Sequence, residues 1–466
     1  MEYKTIPELC SALQDIVKIQ SAQSVKILSE KKLREGLIDQ LVWNSVFNPD
    51  EELRTATRAL IRNIARATGA FPASIQSLYE AEGEGKISHI TAPAINIRGM
   101  TYEFARSILR AQIKKKAFPV VFEIARSEMG YTEQRPAEFA TCILAAAIKE
   151  GYKGALFIQG DHFQINVKKF ATEPEKEVQA IRDLIDEGIA YGFYNIDIDS
   201  STLVDLSKPT VREQQRLNFE VCATLTHHIR QREPHGVTVS VGGEIGEVGK
   251  KNTTVEEFEN FMEGYLETLK KKGAMKGISK ISIQTGTSHG GIPLADGSVA
   301  SVKLDFNVLR DIGTVGRKKY GLSGSVQHGA STLPDELFDK FPEVETAEIH
   351  LATGFQNMTY DHPAFPQELK QEIYTHLRKA CAAEKKEGQT DEQFIYTTRK
   401  KGYGPFKKKM WSLPKEVQGK IMKTLEEKFM FFFDKLNVSG RQEEAEKFMK
   451  IVDIPMPLPS TLRPSN

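Results

Sequence analysis

The stretch GALFIQGDH (residues 154–162) is a short apolar run that becomes polar at its last positions. Similar runs occur along the middle of the chain, separated by longer amphipathic segments such as YEFARSILRAQIKKK. These runs are PAINIR (93–98), FPVVFEIA (118–125), FYNIDIDSS (193–201), VTVSVGGEIGE (237–247), KISIQTGTSHG (280–290), YGLSGSVQHG (320–329) and TAEIHLATG (346–354). Near-continuous apolar runs are typical of parallel strands that are buried on both faces.

The alternation of these runs with helical segments predicts an α/β fold. About eight strand-then-helix units in fewer than ~300 residues fit a (β/α)8 TIM barrel. A doubly wound open sheet is the alternative. The ends of the runs favour the barrel, because nearly all are polar or glycine-rich, and barrel enzymes carry their chemistry in the loops after the strands. We therefore expect these ends to meet around one pocket.

The segments outside the barrel are predicted to be helical. In residues 1–90, apolar positions recur at helical spacing in IPELCSALQDIVKI and LRTATRALIRNIARAT, which predicts an N-terminal helical extension. Residues 91–380 would form the barrel. Residues 381–466 would form a C-terminal helical extension that ends in an extended tail, PMPLPSTLRPSN.

Composition excludes several classes of protein. The 63 Lys and Arg residues balance the 62 Asp and Glu residues, which argues against a nucleic-acid-binding protein. The four cysteines are far apart and lack C-x-x-C spacing, so we predict neither a disulfide framework nor a thiolate zinc site. The N-terminus lacks the pattern of a signal peptide, and no apolar run approaches the ~18 residues of a membrane span. We expect a cytoplasmic protein without a membrane partner.

Three of the ten histidines lie at the ends of predicted strands: His162, His289 and His328. Neutral imidazoles are good ligands for zinc or a similar transition metal, and three protein ligands leave a position for substrate. A single histidine at a strand end more often caps the backbone or forms an ordinary hydrogen bond. Three at equivalent ends of one barrel favour a metal site.

Several acidic residues lie beside these histidines. Asp161 precedes His162 and could serve as a general acid or base if the strand end turns both side chains towards the mouth. Glu244 could be a ligand or a base, and Glu247 in the same loop is a weaker candidate. Asp197 and Asp199 share one face of their strand and could orient a metal-bound histidine. Loop capping and solvation are the ordinary alternatives for these acids.

The last two strand ends carry small residues that suit a phosphate. Gly329 to Thr332 follow His328, and Ala352 to Gly354 end the eighth run. Barrels often bind phosphate in the loops after strands seven and eight, where backbone N–H groups and small hydroxyls surround the anion. A tight turn leading into a helix is the alternative, and both can hold, since a helix N-terminus attracts phosphate.

In this order, the motifs resemble the class II ketose-bisphosphate aldolase family. PAINI resembles its A-F-N segment, QGDHF its D-H motif, DIDSS its M-I-D-x-S and GGEIGEVG its G-E-[LI]-G-x-x-G. TGTSHG resembles G-T-x-H-G, KLDF (303–306) resembles L-D-F, and QHGAS resembles L-H-G-G-S. The match covers residues 90–360 in the same order, and several weak motifs in order are specific. EIARSEMGYTEQRPAEF is similar to the tagatose-bisphosphate aldolase branch, which includes accessory-type subunits.

The resemblance implies a zinc-dependent or similar metal-dependent aldolase, expected to be a homo-oligomer, that cleaves the C3–C4 bond of a ketose phosphate such as fructose 1,6-bisphosphate. His162, His289 and His328 would be the metal ligands. Asp161 would handle the proton of the C4 hydroxyl, and Glu244 would lie close to the metal. The residues in contact with the substrate or its phosphate would be Asn96, Gly290, Gly329, Ser331 and Thr353. No predicted strand end carries an obvious Schiff-base lysine, which agrees with metal chemistry.

The sequence departs from the family pattern at two places. The G-G-x-E-D continuation after GEIGEVG is replaced by GKKNTT, so the loop carboxylate of the family is not visible, and Glu256 or Glu257 could substitute for it. The N-I-D-T of the eighth strand is replaced by His350 to Thr353, of which only Thr353 matches. These changes leave two alternatives open, a lyase or epimerase acting on another sugar phosphate and a non-catalytic aldolase-like subunit.

Overall fold

The computed structural model describes residues 2–246, 251–286, 294 and 304–462 of the chain. Its centre is a closed barrel of parallel strands, which confirms the predicted (β/α)8 fold. Each strand pairs with the next along the chain, and the last pairs with the first. The barrel strands are β4 (Ala92–Asn96), β5 (Val121–Ala125), β6 (Gly154–Gln164), β7 (Asn195–Asp199), β8 (Ser240–Gly246), β9 (Lys280–Ile283), β10 (Ser325–Gln327) and β11 (Glu348–Leu351).

The strands are buried on both faces, as the apolar runs predicted. Every residue of β4, β5, β7, β9, β10 and β11 is buried. Helices surround the barrel and shield its outer face from water. The helices between Gln76 and the eighth-strand helix are α5 (Gln76–Gly83), α6 (Thr101–Lys115), α7 (Arg126–Tyr131), α8 (Pro136–Glu150), α9 (Val167–Thr172), α10 (Pro174–Tyr191), α11 (Val211–Arg232), α12 (Val255–Lys272), α13 (Phe306–Tyr320), α14 (Lys340–Glu343) and α15 (Thr353–Tyr360).

The N-terminal segment is helical in part and also contains strands. Its helices are α1 (Ile6–Leu13), α2 (Glu30–Lys32), α3 (Ile38–Phe47) and α4 (Glu51–Thr68), and its strands are β1 (Val17–Ser21), β2 (Ser24–Ile27) and β3 (Ala70–Pro72). The helix predicted over IPELCSALQDIVKI is wrong after Leu13. Asp15 takes a left-handed conformation (φ 59°), and the β-branched residues after it form a hairpin, β1 with β2.

The C-terminal segment is mainly helical and packs on the barrel. Its helices are α16 (Gln367–Ala380), α17 (Asp391–Thr398), α18 (Lys407–Trp411), α19 (Lys415–Lys435) and α20 (Gln442–Ala445), with a 3-10 turn at Arg399–Gly402. Phe429 of α19 contacts Phe104 of α6, with ring centroids 5.5 Å apart. The C-terminal tail is extended and packs against the N-terminal segment, since Leu458 is buried and its N–H donates to the carbonyl of Ala22.

The division at residues 90 and 380 stays a prediction. β3 belongs to the N-terminal segment, yet it pairs in parallel with the start of β6. All four cysteines (Cys10, Cys142, Cys222 and Cys381) are free, in agreement with the predicted absence of a disulfide framework. None of the helices in the described ranges is long and apolar enough to cross a bilayer.

Candidate active site

The end of β6 presents Asp161 and His162 to the same side. Neighbouring residues of a regular strand point to opposite faces. Here the pairing of β6 with β7 shifts register between Gly160 and Phe163, and His162 takes a left-handed conformation (φ 40°). This conformation is rare for a residue other than glycine and is typical of functional sites. As a result, Asp161 Oδ1 lies 3.8 Å from His162 Nε2.

Two carboxylates orient the imidazole of His162. Its Nδ1 lies 3.1 Å from Asp199 Oδ2 and 2.9 Å from Glu244 Oε2. Because the ionised carboxylate of Asp199 only accepts hydrogen bonds, the proton of this contact belongs to Nδ1. The other nitrogen, Nε2, is turned towards Asp161. Asp197 and Asp199 share a face of β7 and were predicted to orient a metal-bound histidine. Of the two, Asp199 makes such a contact, with His162.

His328 is placed beside His162 by the end of β10. Its Nδ1 lies 2.7 Å from Ser282 Oγ, and its Nε2 lies 3.4 Å from Asp161 Oδ1. The two imidazole centroids are 4.2 Å apart. Sequence analysis did not identify Ser282. The signals that could have suggested it were its position within β9 and its small hydroxyl.

These residues suit a divalent transition metal. Asp161, His162 and His328 each offer one ligand atom, and these atoms lie within 4.8 Å of one another. Imidazole nitrogens held by outer hydrogen bonds are common ligands for zinc and similar ions, and a carboxylate beside such an ion can serve as a general acid or base. His162, Asp199 and Glu244 form an overlapping group that meets the same distance. His289, the third predicted ligand, and Gly290 lie outside the described residues.

Burial and charge shift the pKa values of this group in opposite directions. For Glu244, burial and then the nearby charge of Asp199 raise the pKa to about 7. For His162, burial disfavours the imidazolium, but the carboxylates of Asp161 and Glu244 outweigh it and raise the pKa. For Asp161, burial is outweighed by His162 and His350, and the pKa falls well below its usual range. Such shifts are typical of catalytic sites.

Beneath the histidines, the barrel interior contains a buried ion network. The Lys280 ammonium contacts Glu348 and lies 3.0 Å from Asp197 Oδ2. His350 Nδ1 lies 2.8 Å from Glu123 Oε2, and its Nε2 lies 2.7 Å from Glu348 Oε1. Asp197 therefore pairs with a lysine and not with a candidate ligand. Lys280 begins a predicted strand, but a single lysine in an apolar run gave no sign of this network.

The predicted phosphate residues lie together at the mouth. Gly329 (φ 68°) begins the 3-10 turn Ala330–Thr332, and the N–H of Gly354 donates to Ser331 Oγ at 3.1 Å. A Cβ on Gly354 would lie 2.5 Å from the carbonyl oxygen of Ser331, so the two loops approach too closely for any larger residue. Arg98, which sequence analysis did not identify, donates from Nη1 to Thr353 Oγ1 at 3.4 Å.

One cavity of about 640 Å³ unites these groups. Its walls include Asp161, His162, Glu244, His328, Asn96, Gly329, Ser331 and Thr353. The cavity is large enough for a sugar phosphate. Asn96 faces it from the end of β4, where its Nδ2 donates to Glu128 at 2.7 Å. The structure therefore brings these eight predicted residues together, whereas His289 and Gly290 lie outside the described ranges.

The replacement for the family's loop carboxylate is not found in the described part of the chain. Glu257 forms a capping box with Thr254 at the start of α12, and neither Glu256 nor Glu257 lines the described walls of the cavity. Glu247 lies outside the described residues. The prediction that one of the α12 glutamates takes this role therefore has no support from their placement.

Comparisons with known proteins place the chain in a family. None of the curated proteins is a significant match. A protein of Coccidioides immitis named as a candidate fructose-1,6-biphosphate aldolase shares 17% identity over 79% of this chain and 97% of its own, with a TM-score of 0.46. The YdjI aldolase of Escherichia coli K12 shares 15% over 79% and 99%, with a TM-score of 0.45.

A further solved structure, a probable tagatose 6 phosphate kinase of Sinorhizobium meliloti 1021, shares 16% identity over 77% of this chain and 93% of its own, with a TM-score of 0.53. At this identity, it supports the fold alone. The family model for class II fructose-bisphosphate aldolases matches residues 78–422, which is most of the chain and includes the whole barrel. The chain belongs to the class II fructose-bisphosphate aldolase family.

Proposed function

We propose that the chain is a metal-dependent aldolase that cleaves and forms the C3–C4 bond of a ketose phosphate. Fructose 1,6-bisphosphate is the first substrate to test, with dihydroxyacetone phosphate and an aldehyde phosphate as products. The observation that carries the proposal is the convergence of Asp161, His162 and His328 at the mouth of the barrel. Family membership supports the same class of reaction.

The metal would be held by His162 and His328, with His289 as the third ligand that the motif predicts. A bound divalent cation supplies Lewis-acid stabilisation of the negative charge that develops on the substrate oxygens during aldol cleavage. Asp199 and Glu244 keep the proton on Nδ1 of His162, which leaves Nε2 as the ligand atom. With Nε2 of His328 as the ligand atom, Nδ1 of that ring would donate to Ser282 Oγ, which lies 2.7 Å away and would orient the ring in the same way.

Asp161 would move the proton of the C4 hydroxyl. As a carboxylate at neutral pH it can accept this proton as the C3–C4 bond breaks and return it in the synthetic direction. The enediolate left on the ketose side then takes up a proton at C3 from solvent to give dihydroxyacetone phosphate. Gly329, Ser331 and Thr353 would bind the ketose phosphate at the mouth. The walls of the cavity would hold the sugar with its C4 hydroxyl near Asp161.

Retro-aldol turnover of the purified chain, measured with a coupled assay for dihydroxyacetone phosphate, tests the proposal. EDTA should abolish turnover, and zinc should restore it together with about one metal ion per chain. Asp161→Asn should lower kcat by about 100-fold or more while metal content is retained. Asp311→Asn, on the exposed surface, is the control. Turnover that survives complete removal of metal would contradict the metal mechanism.

A different sugar phosphate is the second candidate substrate. The eighth strand carries His350 and Ala352 where the family pattern has polar substrate contacts. The imidazole of His350 contacts the carboxylates of Glu123 and Glu348. A panel of ketose monophosphates and bisphosphates separates the candidates, including lyase and epimerase products. A clear preference for fructose 1,6-bisphosphate would remove the reason for this alternative.

A non-catalytic aldolase-like subunit is the remaining alternative, supported by the missing loop carboxylate. Robust turnover by the chain alone would exclude it. We also propose that the protein is cytoplasmic and that it forms a homo-oligomer, a dimer or tetramer. Light scattering of the purified protein tests the oligomeric state.

A further inference from the structure

Two of the four arginine and lysine residues that line the described walls of the cavity, Arg98 and Lys400, lie near each other, and Arg98 contacts Thr353. Arg98 follows β4, and its guanidinium donates to Glu128 Oε1 at 2.9 Å and to Gln356 Oε1 at 3.0 Å. Lys400 comes from the 3-10 turn Arg399–Gly402 in the C-terminal segment, far from the barrel strands in sequence. Both residues line the same cavity as Ser331 and Thr353.

Close packing fixes the turn that carries Lys400. A Cβ on Gly99 would lie 2.1 Å from the ring of Tyr403, and a Cβ on Gly404 would lie 2.5 Å from the carbonyl oxygen of Tyr131. Real Cβ atoms do not come this close, so only glycine allows the turn to approach the backbone on both sides. The position of Lys400 at the mouth is therefore determined by the packing of its neighbours.

The turn is also fixed by an ion pair on the side away from the cavity. Arg399 Nη1 lies 3.0 Å from Asp361 Oδ1, and Arg399 is 5% exposed. Lys400 is thus held between a buried, paired arginine and the tight contact of Tyr403 with Gly99.

The charges beside the phosphate residues do not balance. Glu128 and Glu384 are the carboxylates whose charges reach Lys400, but Glu128 contacts Arg98 and Glu384 pairs with Lys401. Within the described ranges, no carboxylate lies at salt-bridge distance from the Lys400 ammonium, which is 5.7 Å from the centroid of the Tyr131 ring. Burial and then the charge of Arg98 lower the pKa of Lys400. A half-buried cation beside another cation is unfavourable unless an anion joins them.

We propose that Lys400, with Arg98, binds the phosphate group of the substrate, so that the C-terminal segment supplies a ligand-binding residue to the barrel. The proposal rests on the proposed function for the identity of the substrate. Two cations against one carboxylate leave a positive charge at the site, and a phosphate monoester carries about −1.5 to −2 at neutral pH. The hydroxyls of Ser331 and Thr353 add donors that suit a tetrahedral anion.

Binding of inorganic phosphate and of dihydroxyacetone phosphate to the metal-loaded protein, measured by isothermal titration calorimetry, tests this proposal. Lys400→Met should weaken both by about tenfold or more, because it removes a charge-assisted contact. Lys400→Arg should retain most of the affinity. Lys401→Met is the matched control, since the ammonium of Lys401 pairs with Glu384 at 2.6 Å on the surface, and it should bind as the unaltered protein does.

In steady-state assays, Lys400→Met should raise KM for the phosphorylated substrate more than it lowers kcat. Lys400→Gln serves as a second variant if Lys400→Met does not fold, as judged by circular dichroism. Phosphate affinity of the Lys400 variants within twofold of the unaltered protein would overturn the proposal, as would undetectable phosphate binding by the unaltered protein.

The calorimetry also separates this proposal from the proposed function. Weaker phosphate binding by Lys400→Met in a chain without aldolase turnover would support the anion site and contradict the proposed aldolase function. Aldolase turnover with unchanged phosphate binding and KM in Lys400→Met would support the proposed function and contradict the role of Lys400.

Discussion

Replacing Lys280 with methionine should be one of the most damaging single changes in the barrel. The Lys280 side chain is 2% exposed, and its ammonium contacts Glu348, which is fully buried. It also lies 3.0 Å from Asp197 Oδ2 and donates to Gln159 Oε1 at 3.0 Å. Methionine has a similar volume, so the change removes the charge and its hydrogen bonds while largely preserving the packing.

The size of the effect follows from two opposing contributions. With an effective dielectric constant of about 20, each carboxylate at ~3 Å from the ammonium contributes about 5 kcal/mol. Burial of the ammonium costs several kcal/mol and offsets much of this sum. Replacement of Lys280 then removes the ammonium that faces Glu348 and Asp197, and His350 stays near both, with its Nε2 2.7 Å from Glu348 and 3.8 Å from Asp197. Loss of one member of a buried pair typically costs about 3–5 kcal/mol, and we expect Lys280→Met to fall in that range.

Urea unfolding followed by circular dichroism measures this loss. Lys276→Met is the matched control, because the ammonium of Lys276 lies 2.9 Å from Glu80 in an ion pair that is 54% and 39% exposed. Exposed pairs contribute about 0–1 kcal/mol. The double variant Lys280→Met/Glu348→Gln should recover part of the loss, since it removes one stranded charge. If Lys280→Met shifted the unfolding midpoint as little as Lys276→Met, our account of the network would be wrong.

Three further outcomes are expected. Ser282→Ala should weaken zinc binding by about 10–100-fold in a chelator competition, because His328 loses its orienting partner; unchanged affinity would remove Ser282 from the site. Lys280 should remain unmodified in peptide mass spectra after treatment with dihydroxyacetone phosphate and borohydride, because Asp197 and Glu348 outweigh burial and raise its pKa; an adduct there would indicate a Schiff base. Gly99→Ala should destabilise the protein by about 1–3 kcal/mol through its clash with Tyr403 and weaken phosphate binding, whereas Gly36→Ala, with open space at its Cβ, should do neither.

The barrel could be predicted because its strands are apolar almost without interruption. Each of the eight runs overlaps a barrel strand, and polar residues at the ends of seven of these strands line one cavity. The strand bounds were less predictable. The run that begins at Val237 becomes a strand only at Ser240, since hydrogen bonding to neighbouring strands, and not hydropathy, sets where pairing begins. The hairpin β1–β2 was missed because its Val and Ile residues also fit a helical period.

The site could be predicted where chemistry follows directly from residue type at a strand end. Asp161, His162 and His328 belong to this class. Arg98 and Lys400 do not, because their roles depend on a turn that packs against Gly99 from the far end of the chain. The contact of the two carboxylates with His162 was also only partly predictable, since it requires the irregular pairing of β6 with β7.

The end of the eighth strand carries one residue that matches the family pattern and one that does not. Thr353, the residue that matches the family pattern, contacts Arg98 beside the phosphate loops. His350, which does not match, lies between Glu123 and Glu348 in the barrel interior, and its ring is 4.1 Å from that of His328. An amide in place of His350 would bring no positive charge to Glu123 and Glu348, so this substitution belongs with the buried charges that surround it. We therefore expect the chain to share phosphate recognition with its family and to differ in the part of the sugar that lies nearest to His328.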